Sequence, residues 1–216
     1  MQTIPKDMKI DVAAMMSRLL ARKTTTPRFR LDVTEAQACD LLTAAYEAEV
    51  ESRHMVFKLD GQTKGHIMQA AVALTKADKF GIAFCGEVGN GKTTLMSAIC
   101  NLTAYLFSGD DKYFRKVKAT DIAAIYENRK DFRALCEQEL LAIDDLGCEP
   151  VEVQSYGNIL TPTIELLMAR YEMQRYTLIT TNIEPGKIKD RYGDRIADRF
   201  REMLCVIPFT NKTYRT

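Results

Sequence analysis

A glycine-rich segment that ends in Lys-Thr carries the clearest chemical signal in the sequence. Residues 84 to 95 read FCGEVGNGKTTL, in which Gly86, Gly91, Lys92 and Thr93 satisfy the pattern G-x-x-x-x-G-K-[ST]. Glycines let a backbone wrap closely around phosphate oxygens with its N–H groups pointing inward, and the N-terminus of a following helix adds positive potential. The segment therefore predicts a binding site for the phosphates of a nucleotide.

The polar residues of this segment have separate predicted roles. The Lys92 ammonium would reach the β- and γ-phosphate oxygens, and the Thr93 hydroxyl would ligate Mg²⁺. The other residues predicted to contact the nucleotide are Glu87, Val88, Gly89, Asn90 and Thr94. ATP and Mg²⁺ are thus the expected cofactors.

Two carboxylates follow a second apolar run. The run LLAIDD ends in Asp144 and Asp145, and a buried strand that ends in acids is what such a phosphate site requires next. Asp144 would hold the Mg²⁺ shell, whereas Asp145 would orient and polarise an attacking water. An acid placed for attack by water favours hydrolysis of the nucleotide over phosphate transfer to a metabolite.

A third apolar run ends in Thr180, Thr181 and Asn182. If its strand lies between the other two, the Asn182 amide is placed to bind the γ-phosphate or the water. The alternative is an ordinary polar strand end that caps a helix at Pro185. A small-molecule kinase is the remote alternative for the whole site, and it would need an acceptor pocket and usually an arginine-rich lid.

Arginines recur every four residues in the segment DRYGDRIADRFREM, residues 190 to 203. Arg191, Arg195 and Arg199 would then project from one face of a helix, beside a row of aspartates. One interpretation is a salt-bridged surface helix. The other is an arginine finger, which is a guanidinium presented to the γ-phosphate bound by a neighbouring subunit.

The segment KYFRKVK mixes basic and aromatic residues, as single-strand DNA binders do. The candidate DNA contacts are Lys112, Tyr113, Phe114, Arg115, Lys116 and Lys118. The same segment is predicted to form a strand at the edge of the sheet, where lysines also block pairing with other chains. Single-stranded DNA is therefore a predicted ligand, with edge protection as the alternative.

Short β-like runs alternate with helical runs from about residue 79 onwards. Strands are predicted at residues 79 to 86, 113 to 119, 140 to 147, 176 to 182 and 203 to 210. Helices are predicted from 91 to about 107, within 119 to 138, and from 155 to 174. Such alternation implies βαβ units, and hence a parallel sheet covered on both faces.

The N-terminal region differs from the rest in charge. Residues 1 to 31 carry seven Lys or Arg and two Asp, whereas residues 32 to 51 carry six acids and no base. One amphipathic helix is predicted to start at Asp11 and a second at Thr34, which has capping-box spacing with Gln37. Their apolar faces either dock a partner or pack on the main domain. We predict an N-terminal helical arm over residues 1 to 55 and a nucleotide-binding domain over residues 56 to 216.

The composition bears on the class of protein. The net charge is +1, so any nucleic-acid contact would have to come from local patches. The apolar runs are short and the first residues lack a signal-peptide pattern, so no membrane partner is predicted. The six cysteines form no CxxC pair, which predicts reduced thiols in a soluble, cytoplasmic protein.

The series GEVGNGKTT, LLAIDDLG, TLITTN and YGDRIADRFRE, closing with TYR at residues 213 to 215, resembles a known family. It is similar to the AAA+ ATPases of the DnaC/DnaI helicase-loader family and to the related IstB transposition ATPases, over residues of about 55 to 216. The resemblance implies an α/β fold of the P-loop AAA+ type, with a five-stranded parallel sheet in the order 5-1-4-3-2 and no C-terminal lid domain.

The resemblance also implies a function. The chain would hydrolyse ATP, act in DNA replication, bind a replicative helicase and self-associate, whereas the IstB alternative would assist a transposase on DNA. The implied roles are Walker A for Lys92 and Thr93, Walker B for Asp144 and Asp145, sensor I for Asn182, and the arginine finger for Arg199 with Arg195 as its nearest rival. Arg215, in the terminal Tyr-Arg, would approach the nucleotide. Asp145 stands where many AAA+ proteins carry Glu, so hydrolysis is expected to be slow.

Overall fold

The helices and strands follow the periodicity of the apolar residues. The computed structural model describes residues 11–21, 27–76, 78–109, 112–155, 158–211 and 213–214. Its helices are α1 Val12–Ala21, α2 Glu35–Glu51, α3 Gly61–Lys76, α4 Lys92–Leu106, α5 Ile122–Glu127, α6 Arg129–Glu137, α7 Pro162–Glu172, α8 Ile188–Tyr192 and α9 Asp194–Met203. Its strands are β1 Gly81–Gly86, β2 Arg115–Lys118, β3 Leu140–Leu146, β4 Val153–Ser155, β5 Asn158–Leu160, β6 Tyr176–Thr181 and β7 Cys205–Phe209.

Five of the strands form one parallel sheet in the order β2-β3-β6-β1-β7. Every residue of β6, and β1 from Gly81 to Cys85, is buried, because helices cover both faces of the sheet. The order 5-1-4-3-2 predicted for five strands is this same arrangement. The numbering differs because β4 and β5 form a separate antiparallel hairpin that the sequence did not predict.

The structure differs from the sequence prediction at two helices. The helix predicted from residue 155 begins only at Pro162, because the hairpin occupies residues before it and proline suits the first turn of a helix. Helix α3 was not predicted at all. Its buried side chains include Ile67, Ala70 and Leu74, and it packs against α2, β1 and β7.

The two N-terminal helices differ in what they contact. Helix α2 begins with the predicted capping box between Thr34 and Gln37, and it buries Leu42 and Tyr46 against α3 and α4. The apolar face of α2 therefore packs on the main domain, which is one of the two alternatives that the sequence left open. Helix α1 begins at its Asp11 cap, which accepts a hydrogen bond from the Ala14 N–H at 3.0 Å, and it has no buried residue. The domain boundary near residue 55 stays a prediction.

A buried arginine joins the amino ends of two strands. The Arg170 guanidinium is fully buried on α7, and its Nε donates to the Thr177 hydroxyl at 2.8 Å. Its other nitrogens donate to four backbone carbonyls, those of Leu135, Cys136, Gln138 and Tyr176. These acceptors lie just before β3 and at the start of β6, so Arg170 ties α6 and α7 to the amino end of the sheet.

None of the helices in the described ranges is both long and apolar enough to cross a membrane. All six cysteines are free thiols, as predicted, and two of them, Cys85 and Cys136, are buried. Within the same ranges, no group of three or more His, Cys, Asp or Glu side chains is placed to hold a metal ion by itself.

Candidate nucleotide-binding site

The glycine-rich segment forms a tight loop between β1 and α4. Gly91 has φ 97° and stands immediately before α4, in a left-handed conformation that glycine adopts without strain. A Cβ at Gly86 would lie 2.2 Å from the Phe209 carbonyl oxygen, so only glycine fits there. The loop therefore brings its backbone to the N-terminus of α4, and the positive end of a helix attracts anions.

The Lys92 side chain folds back over this loop and is buried. Its ammonium donates to the carbonyl oxygens of Gly86 at 2.7 Å and Glu87 at 2.5 Å, and to Asn90 Oδ1 at 3.0 Å. These acceptors belong to the loop that would surround a phosphate. The ammonium is therefore already at the place where the phosphate charge is expected.

Asn90 and the C-terminal segment hold the loop in position. Asn90 Nδ2 donates to the Phe209 carbonyl at 3.0 Å, and Asn211 Nδ2 donates to the Asn90 carbonyl at 3.0 Å. The backbone N–H of Tyr214 donates to the Gly89 carbonyl at 2.8 Å. The loop is thus fastened to β7 and to the segment that follows it. Arg215, predicted to approach the nucleotide, lies outside the described residues.

The Walker B candidate Asp144 lies beside the Walker A candidate Thr93. The Thr93 hydroxyl donates to Asp144 Oδ1 at 3.0 Å, and the Thr180 hydroxyl donates to the same oxygen at 2.7 Å. Only 8% of the Asp144 side chain is exposed. Hydroxyl and carboxylate oxygens are the ligands that Mg²⁺ prefers, so the pair fits the predicted metal site.

Asp145 differs from Asp144 in both exposure and backbone conformation. It is exposed, and its φ of 57° is positive, which is uncommon for a residue other than glycine. The pairing of β3 with β6 shifts register between Ile143 and Leu146, and the Asp145 N–H donates to the Thr180 hydroxyl at 2.8 Å. This bulge re-aims the side chain at the carboxyl end of the strand, as bulges near functional sites do.

Asn182 follows β6, the strand that lies between β1 and β3 as the sequence predicted. Its side chain is exposed at the carboxyl edge of the sheet. The alternative role as a helix cap is not what the structure shows, because Glu184 is the residue that precedes the turn at Pro185. The order of the strands thus brings Asn182 to the edge where the loop and the two aspartates lie.

Lys116 contributes a cation to this edge that the sequence assigned only to DNA or to edge protection. Its ammonium lies 3.3 Å from Asp144 Oδ2 and donates to the Ser97 hydroxyl at 3.1 Å. Strand β2 is at the edge of the sheet, as predicted. The sequence did not indicate this contact, because it depends on the pairing of β2 with β3.

The predicted arginine row is broken by a glycine. Arg191 lies on α8, whereas Arg195 and Arg199 lie on α9, and Gly193 between the helices has φ 84°. The expectation that all three arginines share one helix face is therefore wrong. Arg191 instead donates to the Glu149 carbonyl.

Arg199 lies far from the glycine loop of its own chain. Helix α9 ends at Met203, whose carbonyl accepts a hydrogen bond from the Phe80 N–H just before β1. The six residues of β1 separate that end from Gly86 by about 20 Å. The Arg199 guanidinium lies 4.8 Å from the centre of the Tyr171 ring, and its buried Nε has no hydrogen-bond partner among the described residues. Arg195, one turn earlier, is exposed.

The candidate DNA contacts do not share one environment. Phe114 is buried among Phe29 and Tyr176, with ring centres 5.9 Å and 6.1 Å away, so it is not available to stack on a base. Tyr113 is 52% exposed. The cations Lys112, Lys116 and Lys118 are exposed and Arg115 is partly buried.

Several residues near the loop were missed by sequence reasoning. The Tyr214 hydroxyl donates to Asp60 Oδ2 at 2.9 Å and lies 3.0 Å from the Thr63 hydroxyl. A Cβ at Gly91 would lie 2.7 Å from the Tyr46 hydroxyl oxygen. The spacing of Asp60 and Thr63 is an N-cap signal for α3, because Asp60 Oδ1 accepts from the Thr63 N–H.

Burial and hydrogen bonds shift the pKa of several of these groups. Burial raises the pKa of Tyr46 to about 12, so its hydroxyl stays protonated beside the loop. Burial alone would raise the pKa of Asp60, but hydrogen bonds from Thr63 and Tyr214 lower it below its usual value. Burial raises the pKa of Cys85 to about 11 and of Cys100 to about 12, which keeps both thiols neutral.

Three solved structures have the same fold as this chain. The DnaC helicase loader matches with a TM-score of 0.55 at 19% identity, over 77% of this chain and 99% of that chain. DnaI matches with a TM-score of 0.56 at 18% identity, over 78% and 94% of the two chains. DnaA from Aquifex aeolicus bound to AMPPCP matches with a TM-score of 0.53 at 22% identity, over 73% of this chain and 50% of that chain. No family model matches the sequence, and no curated protein matches it.

At these identities the likeness concerns the fold. The loop, the buried parallel sheet and its strand order are those predicted from the sequence. The chain therefore has the same α/β fold as the solved structures of the DnaC helicase loader, DnaI and DnaA.

Proposed function

We propose that this chain binds ATP with Mg²⁺ at the glycine loop and hydrolyses it. The observation that carries the proposal is the hydrogen bond of 3.0 Å between the Thr93 hydroxyl and Asp144 Oδ1. These two oxygen ligands come from distant parts of the sequence and meet beside a buried lysine and a helix N-terminus. Mg²⁺ bound there would neutralise part of the charge on the phosphates.

The chain's own residues divide the work of binding and catalysis. Lys92 and the loop backbone, from Gly86 to Thr94, bind the phosphates. Asp145 is exposed beside Asp144, so its carboxylate orients an attacking water and accepts its proton. The Asn182 amide positions the γ-phosphate or that water from the neighbouring strand.

The hydrolytic step is tested by Asp145→Asn. The amide keeps the shape of the side chain but is a much weaker proton acceptor, so phosphate release should fall by about 10²- to 10⁴-fold while ATP affinity stays the same. Asp40→Asn, an exposed acid on α2, is the matched control and should leave both unchanged. Unaltered phosphate release in Asp145→Asn would exclude this residue as the base.

The partner in this proposal is a replicative helicase, and the function is that of a helicase loader in the cytoplasm. Its support is the fold shared with the DnaC helicase loader and DnaI over about three quarters of this chain. Helix α1 supplies a candidate docking surface, because five apolar side chains on it are each more than half exposed: Val12, Met15, Met16, Leu19 and Leu20.

The docking surface is tested by changing two faces of α1 separately. Met15→Asp with Leu19→Asp places charges on the apolar face, and capture by immobilised helicase should be lost while ATP binding persists. Ala14→Asp with Ser17→Asp changes the opposite face and should leave capture intact. If both double variants were captured like wild type, α1 would not be the docking surface. Retention of a transposase instead of a helicase would favour the IstB-like alternative.

Single-stranded DNA is the second ligand in the proposal, and its supporting residues lie on the edge strand β2 and just before it. Lys112, Tyr113 and Lys118 are exposed there, so they can track a phosphate backbone and stack on a base. Replacing both lysines by alanine should weaken binding of an oligonucleotide and reduce the salt dependence of its affinity. An unchanged salt dependence would place DNA elsewhere.

A further inference from the structure

The carboxylate proposed to hold Mg²⁺ already has a cation beside it. Asp144 Oδ1 accepts hydrogen bonds from the Thr93 and Thr180 hydroxyls, and its Oδ2 lies 3.3 Å from the Lys116 ammonium. Only 8% of the Asp144 side chain is exposed, and a buried carboxylate without a compensating partner is costly. Lys116 therefore neutralises Asp144 in the chain as described.

The strand pairing explains how a lysine on the edge strand reaches an acid on its neighbour. Lys116 pairs with Ala142 in the register of β2 and β3, and Asp144 is two residues further along the same face of β3. Because Ala142 has a short side chain, the lysine stem can pass over it toward the carboxylate. The Ser97 hydroxyl on α4 accepts a hydrogen bond from the ammonium at 3.1 Å, which helps to fix the position of the ammonium beside Asp144.

Lys118 shows that this arrangement is specific to one position. It lies on the same strand and the same face, and it pairs in register with Asp144 itself. Among the described residues no ion pair joins Lys118 to Asp144, whereas the Lys116 ammonium lies 3.3 Å from Asp144 Oδ2. Ordinary edge protection would need neither the contact with Asp144 nor the one with Ser97.

We infer that Lys116 is the counter-ion of Asp144 before the nucleotide binds and that Mg²⁺ displaces it when the nucleotide binds. Lys116 thereby sets the Mg²⁺ concentration that nucleotide binding requires. This inference rests on the proposed Mg²⁺-ATP site. The ammonium and the metal ion compete for one carboxylate, because each is stabilised by the same negative charge. Removal of the Lys116 ammonium should therefore strengthen the binding of Mg²⁺ at Asp144.

The test is the ATP affinity measured over a series of free Mg²⁺ concentrations with a fluorescent ATP analogue. In Lys116→Gln the free Mg²⁺ concentration at the midpoint of the change in ATP affinity should fall by about fivefold. A change of this size is expected when a partly exposed ion pair is lost. Lys130→Gln, at an exposed lysine on α6, removes the same charge from a different element and should leave the midpoint unchanged. Because fluorescence reports binding, the result does not depend on turnover.

Thermal unfolding supplies a second readout with a distinct pattern. Without nucleotide, Lys116→Gln should melt below wild type, because Asp144 loses its cation. With ATP and Mg²⁺ that difference should disappear, whereas a purely structural role for Lys116 would leave it in place. A difference that persists in saturating ATP and Mg²⁺ would therefore overturn the inference.

The other outcomes separate this inference from the proposed function. If the wild-type chain binds ATP with Mg²⁺ but Lys116→Gln has the same Mg²⁺ midpoint, or a higher one, Lys116 is not a competitor of the metal and the inference is wrong. If the wild-type chain binds no ATP at any Mg²⁺ concentration, the nucleotide site itself is wrong, and the inference fails with it.

Discussion

The two ends of the parallel sheet use cations in different ways. At the amino end, Arg170 donates to four backbone carbonyls and a threonine hydroxyl, and Lys79 donates to the carbonyls of Arg201 and Leu204. At the carboxyl end, Lys92 lies on the loop proposed for phosphate, and Lys116 lies on the acid proposed for Mg²⁺. The amino-end cations contact backbone and hydroxyl groups that hold helices to strands, whereas the carboxyl-end cations contact the loop proposed for phosphate and the acid proposed for Mg²⁺. The amino-end contacts therefore stabilise the fold, and we propose that the carboxyl end binds the nucleotide.

Arg199 lies near the amino end of the sheet, yet it is predicted to take part in catalysis. Its substitution has the largest expected effect on ATP turnover. It lies near the amino end, too far to serve its own loop, so we expect it to act on the nucleotide of a neighbouring copy. Arg199→Ala should retain ATP affinity and lose about 10³- to 10⁵-fold in the turnover measured at concentrations where the chain assembles. Arg195→Ala is the matched control and should lose far less.

A mixing experiment distinguishes action in trans from action in cis. Lys92→Ala should lack nucleotide but still present Arg199, while Arg199→Ala should bind nucleotide but lack the finger. If the finger acts between copies, a mixture of the two variants should regain phosphate release that neither shows alone. Absence of any gain on mixing, together with intact assembly, would contradict the trans role.

Arg170→Met tests whether the buried arginine at the amino end of the sheet stabilises the fold. Its expected effect is the next largest and concerns stability. Burial lowers the pKa of Arg170 to about 9, so the group is charged at neutral pH and its acceptors depend on it. Methionine would leave buried carbonyls without donors, so the free energy of unfolding in urea should fall by about 3 kcal/mol or more. The ATP affinity of the folded fraction should not change.

Arg133→Met, at an arginine whose side chain is 80% exposed, should lower the free energy of unfolding by less than about 0.5 kcal/mol. Equal stability of the two variants would remove the contrast between the ends.

His66 gives the smallest predicted effect, which is a pH dependence. It is buried on α3 with its ring stacked 3.8 Å from that of Phe209, and burial lowers its pKa below the ordinary 6.5. The folded state therefore disfavours the charged imidazole, so stability should be lost as pH falls below about 6.5, where the unfolded chain takes up the proton. Urea unfolding at pH 7.5 and pH 5.5 measures this loss.

His66→Phe should remove that part of the pH dependence, since phenylalanine preserves the stacking and has no titrating group. Met68→Leu, at an exposed position on the same helix, is the control and should keep the wild-type slope. A slope in His66→Phe equal to that of wild type would assign the pH dependence to other groups. Asp60, whose pKa is lowered, would lose its contribution only at more acidic pH.

Local patterns predicted the carboxyl end of the sheet better than the surrounding helices. Gly86 to Thr93, Asp144 and Asn182 were predictable because each follows an apolar run, and parallel strands bring such positions to one edge. The Thr34 capping box was likewise a local signal. Helix α3 was missed because its sequence, GQTKGHIMQAAVALTK, contains two glycines and few large apolar residues, although Asp60 marks its start.

The errors arose where tertiary structure or a single glycine overrode a spacing rule. The arginine spacing predicted that Arg191, Arg195 and Arg199 share one helix face. Gly193 instead ends α8, so Arg195 and Arg199 lie on a separate helix, α9. Phe114 fitted a DNA-binding pattern, but the aromatic cluster with Phe29 buries it. The contact of Lys116 with Asp144 depends on strand register, which the sequence did not specify.

The ATP affinity of Lys92→Ala, determined by calorimetry in the presence of Mg²⁺, tests whether the nucleotide binds at the start of α4. Binding should be lost, because the ammonium that contacts Gly86, Glu87 and Asn90 is the main cation of the loop. Lys130→Ala, at an exposed lysine on α6, should bind ATP like wild type. An unchanged affinity in Lys92→Ala would contradict the account, since ATP would then be bound somewhere other than the start of α4.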